Sequence, residues 1–532
     1  MRKLRIAIVD LVARGPTRSL YGRLMHANLA SIMPQVLAVW CEELGHDVRL
    51  ICYTGFEDLA KVLPTDIDLL VISAFSQAAQ LSYAMSHLFR QRGVVTALGG
   101  PHARCYPEDA RKYFDYVFGF TDKETLATML ADCQPQRPYG AYLSASRQPL
   151  SLPGVRERWK FIEPILAEAP ILKLVPMLGS LGCPYTCAFC IDSSVPYQPL
   201  GFEQMKEDLR FLLTKMKRPR VGWHDPNFGV RFDDYLNAIE EAVPPGRIDF
   251  LAESSLSLLT EPHLKRLQKN GFQAILPGVE SWFDLGNKSK TGKHVGREKV
   301  MQVSDHVNMV LRYIPYVQTN FVLGLDSDEG SEPFALTREF VDRTPGAFPG
   351  YSLLSAFGQA APLNLQYQKS DRVLPFPFHF LNNNHAMNVR PLNYDWPTFY
   401  DNVLAVTRHS FSWPAIGRRF RAQEGRIPRW MNVVRAVSSE GFGRIRYYQS
   451  VRDRLTSDRS FRRYFEQDTD TLPPFYVERV KRDLGSLWEY LPPGALEHDH
   501  HAYLKASANG NGTGKPKSLP VAEVPAPSVA LP

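Results

Sequence analysis

The chain of 532 residues has no run of about eighteen uninterrupted apolar residues, so no bilayer-spanning helix is expected. It has no long block of like charge. Its 62 Lys and Arg against 55 Asp and Glu leave a net charge of +7, too mild at this length to require a nucleic-acid partner. No small-residue cleavage pattern follows the first apolar stretch, so the N-terminus reads as a first strand rather than a signal peptide, and a cytoplasmic location is expected. No internal repeat is present. Cysteine is scarce: there are seven, an odd number, and three of them fall within eight residues. In a cytoplasmic chain such crowding argues for metal ligands over a disulfide framework.

What is present has the rhythm of an α/β protein. Strand-like runs at 4–9, 47–53, 67–73, 94–98 and 116–119 alternate with helical spacing at 27–44 and 81–92, each helix stopped by a glycine. This predicts a doubly wound parallel sheet over 1–135. The proline-bearing stretch 136–172 reads as a linker, with 159–170 as a segment that could dock between domains. Strand candidates then recur at 173–177, 220–223, 247–252, 273–278, 316–324 and 350–356, predicting a full or partial (β/α) barrel over 173–385. In such barrels chemistry sits at the C-terminal ends of the strands. Residues 386–505, rich in Arg and aromatics, predict a helical cap. The Gly-, Ser- and Pro-rich end, 506–532, is too polar to pack and is expected to be disordered.

Cys183, Cys187 and Cys190 form a C-x3-C-x2-C triad on a loop after the first barrel strand. A cubane cluster ordinarily takes four cysteines, so three would leave one iron open. Gly182 permits a tight turn, Pro184 blocks regular structure, and Phe189 is an apolar neighbour able to shield a cluster. The competing reading, a zinc knuckle, needs a second ligand pair that is missing nearby. Cys41, Cys52, Cys105 and Cys133 read as packing or surface thiols.

The run Gly182-Cys183-Pro184-Tyr185-Thr186-Cys187-Ala188-Phe189-Cys190 resembles the signature of the radical S-adenosylmethionine (SAM) superfamily. That resemblance implies a [4Fe-4S] cluster on the three cysteines, with SAM chelated at the open iron. It implies reductive cleavage of SAM to a 5′-deoxyadenosyl radical, fed by a flavodoxin- or ferredoxin-type electron donor. The stretch 224–228, with Asp225, is similar to a strand end in the cobalamin-binding branch that faces the methionine amino group; Asp225 and Asn227 equally suit a turn cap. The stretch 275–281 is similar to the family's G-V/I-E-S strand end. There Gly278 would allow close backbone approach, and Glu280 would contact a ligand or pair with Lys288. Glu253 and Ser254, then Gln318 and Asn320, occupy neighbouring strand ends. The stretch 355–362 departs from the family's proline–glycine turn.

The first domain is similar to the cobalamin-binding domain of that branch. Gly99 and Gly100 would allow backbone approach at the sheet's carboxyl edge, and Ser73 would contact the nucleotide loop of the corrin. The histidine motif that ligates cobalt in some cobalamin proteins is absent after the first strand, and His102 reads as a loop residue. The resemblance thus implies an enzyme methylating an unactivated carbon or phosphorus centre of a small molecule, bulky, flat or lipidic. The alternatives are a radical cyclase or rearrangement enzyme, and a non-catalytic cobalamin or redox sensor. Tyr394, Trp396 and Tyr400 in the cap would line the substrate pocket or form core; no catalytic residue is singled out.

Overall fold

The computed structural model describes residues 2–16, 20–133, 139–185, 187–283, 294–500 and 502. The expected disordered tail, Thr186 of the cysteine motif and Lys288 lie outside the described residues.

The first unit is a six-stranded sheet, every ladder parallel. Its strands are β1 (Arg5–Leu11), β2 (Asp47–Tyr53), β3 (Leu69–Ala74), β4 (Val95–Gly99), β5 (Tyr116–Phe118) and β6 (Ala141–Leu143), in spatial order β2-β1-β3-β4-β5-β6. This is the doubly wound fold the sequence predicts, and its order reverses between β1 and β3. That reversal opens a crevice at the carboxyl edge. One face is covered by the helices Ile32–Glu43 and Lys123–Asp132, the other by Ala79–Gln91. The second core runs on unbroken into the barrel and the C-terminal helices.

The helix expected over 27–44 is two helices, Leu20–Leu29 and Ile32–Glu43. Pro34 lacks the N–H that would bond residue 30, which removes a bond that would carry a helix across this point. The second helix starts afresh at Ser31. There the Asp10 carboxylate, at the end of β1, accepts from the Ser31 backbone N–H (2.6 Å) and hydroxyl (2.9 Å).

The stretch 136–172 is not the linker expected. It holds β6, which extends the sheet, and a helix, Val155–Glu168, that keeps Pro164 inside it. Arg158 on this helix is buried. It donates to Gln35 Oε1 (2.7 Å) on the first unit, while Val155 N–H donates to Asp208 Oδ1 (2.8 Å) on a barrel helix. The prolines that suggested a linker flank these elements, and burial of Trp159, Phe161, Ile162 and Ile165 holds the helix together despite Pro164.

The second unit is built on β7 (Leu174–Met177), β10 (Arg220–Trp223), β11 (Asp249–Glu253), β12 (Phe272–Leu276), β14 (Tyr316–Leu323) and β15 (Phe348–Leu353), adjacent in that order and all parallel. A short strand, β13 (Gly278–Glu280), continues β12 along β14. An antiparallel pair, β8 (Ser180–Leu181) and β9 (Gln198–Pro199), closes the loop after β7. Among the described residues no ladder joins β15 to β7, so the barrel is partial. Two helices from elsewhere in the chain meet beside it. Met25 on Leu20–Leu29 packs on Leu172 and Leu174, with Met431 of the C-terminal helix Arg426–Val437 alongside. Arg435 of that helix lies over Phe348 (4.0 Å) and Tyr21 (4.9 Å), and donates to the Tyr316 hydroxyl (2.7 Å).

The C-terminal region is helical, as expected, from Trp396–Ser410 to Pro474–Leu484. Trp396 and Tyr400 are core, the Trp396 indole donating to Phe465 O (2.8 Å), and Tyr394 is half-buried.

Candidate functional site

The triad sits on the loop between β8 and β9. Ser180 and Leu181 pair with Pro199 and Gln198, so two ladder positions pin the loop's base. Gly182 turns the chain into it at φ +67°, and a Cβ there would lie 2.4 Å from Pro196 O, so no other residue fits. Within the loop, Cys190 N–H bonds Cys187 O (3.0 Å), Ser193 N–H bonds Cys190 O (3.2 Å), and Asp192 N–H points at Cys190 Sγ (3.4 Å). All three cysteines are half-buried, as is Phe189, and none is in a disulfide.

Three thiols on one short irregular loop, with a backbone N–H aimed at a sulfur, are the donor set an iron–sulfur cluster requires. Among the described residues, however, no group of three His, Cys, Asp or Glu side chains is gathered as a metal ion would need. The chemistry of the donors fits the cluster.

Asp225 supports this loop from beneath. Its carboxylate is buried and accepts from Gly179 N–H (3.0 Å), the Ser180 hydroxyl (2.7 Å) and the Tyr235 hydroxyl (2.5 Å). Burial raises its pKa above the ordinary carboxylate value, and the three bonds oppose that rise. Two residues on, Asn227 Oδ1 accepts from Ser255 N–H (2.9 Å), and Ser254 donates to Phe228 O (2.9 Å). The stretch 224–228 therefore acts as a turn cap tying three strand ends together.

Gly278 is explained by its neighbour. Glu280 takes φ +67°, rare for a non-glycine residue, and a Cβ on Gly278 would lie 2.1 Å from Glu280 Oε1. The carboxylate folds back over the glycine. Beside it on β14, Gln318 Nε2 donates to Asn320 Oδ1 (2.6 Å), and Arg435 in turn donates to Gln318 Oε1.

A single cavity of about 870 Å³ joins the two units. Ser73, Gly99 and Gly100 line it from the first sheet, and Asp225, Glu253 and Gln318 from the barrel. Gly182, Ile191 and Asp192 of the cysteine loop form part of its wall. Phe189, Gly278, Glu280 and the three cysteines themselves lie outside this lining. Gly100 has φ +89°, and a Cβ there would meet Ala74 N and O at 3.0 Å and Ser73 Oγ at 3.2 Å. Gly100 is therefore required by its close packing on the end of β3, at the edge where the cavity opens. His102 is not the loop residue expected. It lies in a short helix, Pro101–Cys105, fully buried between Tyr83 OH (2.6 Å) and Ser76 Oγ (3.4 Å). It is turned away from the cavity, and burial lowers its pKa to about 3.

Sequence reasoning missed Asn28. It enters the cavity from the helix Leu20–Leu29, with Oδ1 buried and lacking a hydrogen-bond partner. A Cβ on Gly222 would lie 2.0 Å from that oxygen. The signal was present, since an isolated glycine within a strand marks a close approach. His224, bonded to the Asn28 backbone, is held neutral, burial lowering its pKa to about 4.

The divergent stretch 355–362 links the units. Gln359 N–H bonds Cys105 O (3.0 Å), the Tyr106 hydroxyl donates to Ala356 O (3.1 Å), and Leu363 N–H bonds Ala188 O (3.0 Å) in the cysteine loop. Arg104 adds an ion pair to Asp192 (3.1 Å).

No family model matches the chain. Bacteriochlorophyllide d C-12(1)-methyltransferase of Chlorobaculum tepidum is 19% identical over 376 residues, 69% of this chain and 80% of that protein. The C-8(2)-methyltransferase of the same organism is 25% identical over 240 residues, 41% of this chain and 50% of that protein. Among solved structures, TsrM from Kitasatospora setae, a radical SAM methyltransferase with cobalamin and a [4Fe-4S] cluster bound, superposes with a TM-score of 0.50 at 12% identity. The match covers 69% of this chain and 75% of that one. The cobalamin-dependent SAM radical enzyme OxsB, with aqua-cobalamin bound, gives a TM-score of 0.53 at 13% identity over 96% of this chain and 84% of that one. The chain has the fold of the cobalamin-dependent radical SAM enzymes.

Proposed function

We propose that the protein is a cobalamin-dependent radical SAM methyltransferase acting on an unactivated carbon or phosphorus centre of a bulky or flat small molecule. The observation that carries this reading is the one cavity shared by the carboxyl edge of the first sheet, the barrel and the cysteine loop. The names of the curated relatives, both methyltransferases, favour methylation over cyclisation or rearrangement. Cytoplasmic flavodoxin or ferredoxin would supply the electron.

Cys183, Cys187 and Cys190 would hold the [4Fe-4S] cluster, with Phe189 beside it. Ser73, Gly99 and Gly100 would cradle cobalamin without a histidine ligand, since His102 is turned inward. Together these groups would supply reductive cleavage of SAM and a carrier for the methyl group. The protein's own work is positional. Asp225, through Gly179 and Ser180, fixes the base of the cysteine loop. Glu280, folded over Gly278, offers acceptor oxygens at a strand end. Apolar lining, including Met25, Leu251 and Leu276, excludes water from the interior.

The test is anaerobic reconstitution with iron, sulfide and hydroxocobalamin, followed by SAM and dithionite. Wild type is expected to release 5′-deoxyadenosine, with S-adenosylhomocysteine formed alongside it once a substrate is supplied. A cluster-loaded protein that never cleaves SAM would sink the proposal. Cys187→Ala is expected to lose both the cluster's visible absorption and cleavage; a retained cluster would refute the ligand assignment.

A further inference from the structure

The hairpin of the helices Trp413–Ala422 and Arg426–Val437 turns large apolar side chains outward. Trp413 is 67% exposed, Trp430 61% and Ile427 52%. Along the second helix, Ile427, Trp430, Val434 and Val437 follow a 3-4-3 spacing, so they share one face. On an ordinary surface helix that outward face is polar. Scattered exposed apolar residues need no explanation, but a concentrated set marks an interaction site. The aromatics also cluster, with Trp430 edge-on to Phe420 (5.7 Å) and Trp413 to Phe442 (5.3 Å).

The charge around this set is predominantly positive. Arg421 and Arg426 are exposed and, among the described residues, form no ion pair, while Arg429 lies over Phe420 at 5.6 Å. Of the nearby acids, Asp342 is taken by Arg418 (2.8 Å) and Glu440 by Arg435 (2.5 Å), leaving Glu424 at the turn. Exposed Trp with flanking Arg is the composition that settles at the headgroup level of a bilayer. The face is also continuous with the cavity: Ile427 is both exposed at the surface and part of the cavity lining.

We propose that this hairpin docks on the surface of an anionic lipid bilayer, Trp413, Trp430 and Ile427 entering the headgroup region and Arg421, Arg426 and Arg429 facing lipid phosphates. Docking rests on the surface alone; only its consequence, that an apolar substrate enters the cavity from the membrane, rests on the function proposed above.

The test is flotation of the full-length, cluster-loaded protein with vesicles of pure phosphatidylcholine and with vesicles holding about one-third phosphatidylglycerol. Flotation with the anionic vesicles, at least about tenfold above phosphatidylcholine and falling as salt is raised, is expected. Trp413→Ser/Trp430→Ser and Arg421→Glu/Arg426→Glu should each cut it about tenfold or more, with cluster content retained and the melting temperature lowered only slightly, since each tryptophan gives up one edge-on ring contact and both arginines are exposed. Absence of anionic-vesicle binding overturns the proposal, as does equal binding by wild type and both variants. A concentration-dependent dimer lost in the tryptophan variant would reassign the face to self-association. The readout needs no turnover, so its failure is separable from failure of the radical chemistry.

Discussion

Three donors meet on the carboxylate of Asp225, and Tyr235 is the one that can be removed with least change of shape. The Tyr235 ring packs edge-on to Phe228 (5.0 Å) and Phe202 (5.4 Å), contacts that phenylalanine would keep. Tyr235→Phe leaves a buried carboxylate one donor short, which costs about 1–3 kcal/mol. The expected result is a lower melting temperature and a weaker hold on the cluster, read as faster bleaching of its visible absorption by a chelator. Gly100→Ala tests the other edge. It forces a left-handed φ on alanine and presses a methyl against Ala74, so a loss of about 1–3 kcal/mol is expected, together with poorer retention of cobalamin on gel filtration. At this scale the cysteines were legible because their spacing is local. Asp10 and Tyr235 were not, because each acts on a residue that only the fold brings near, and Asn28 was signalled only indirectly, through Gly222.

The stretch 355–363 ties the helix beside the first sheet's edge to the cysteine loop through backbone bonds, and Arg104–Asp192 repeats the link with side chains. Such a strap sets the separation of the two proposed cofactor sites. Arg104→Met should therefore change global stability by less than about 1 kcal/mol, as partly exposed ion pairs do. It should leave cluster content intact yet lower the product formed per 5′-deoxyadenosine released. An unchanged ratio would deny the strap a positioning role. All six principal barrel strands and five of the six strands of the first sheet were readable from their apolar runs, within a few residues at the ends. The sixth, Ala141–Leu143, has three residues, all half-buried, too few to show a period. The helix Val155–Glu168 was hidden by Pro164, and the break before Ile32 was missed although Pro34 announced it. The departure of 355–362 from the family pattern was visible in the sequence; its contacts with Cys105 and Ala188 belong to the fold.

Across the whole molecule, burial holds several histidines neutral. His102 and His498 have pKa values lowered to about 3, and His224 and His379 to about 4, desolvation being the leading cause in each. Their unfolded value is near 6.5. Between the folded and unfolded values the unfolded chain binds more protons, so stability rises with pH there and is lost as pH falls from about 6.5 toward 4. Asp10 and Asp208, both raised to about 6 by burial, act the other way, gaining stability as pH falls from about 6 toward 4. His385 and His46 are lowered as well, and Asp225 is raised like the other two carboxylates; the histidines outnumber the carboxylates, so the midpoint of urea unfolding should drop steadily from pH 7 to pH 4.5. His498 isolates one proton of this balance. It stacks on Phe378 (4.2 Å) with Nδ1 buried and unpartnered, and His500 and Lys112 lower its pKa further while Asp499 raises it. His498→Phe keeps the stacking and removes the titration. It should flatten the stability slope between pH 5 and pH 6 by about 1 kcal/mol per pH unit, so that the variant gains on wild type as the solution is acidified. A slope unchanged in the variant would mean that His498 is charged, or already open to solvent, in the folded protein.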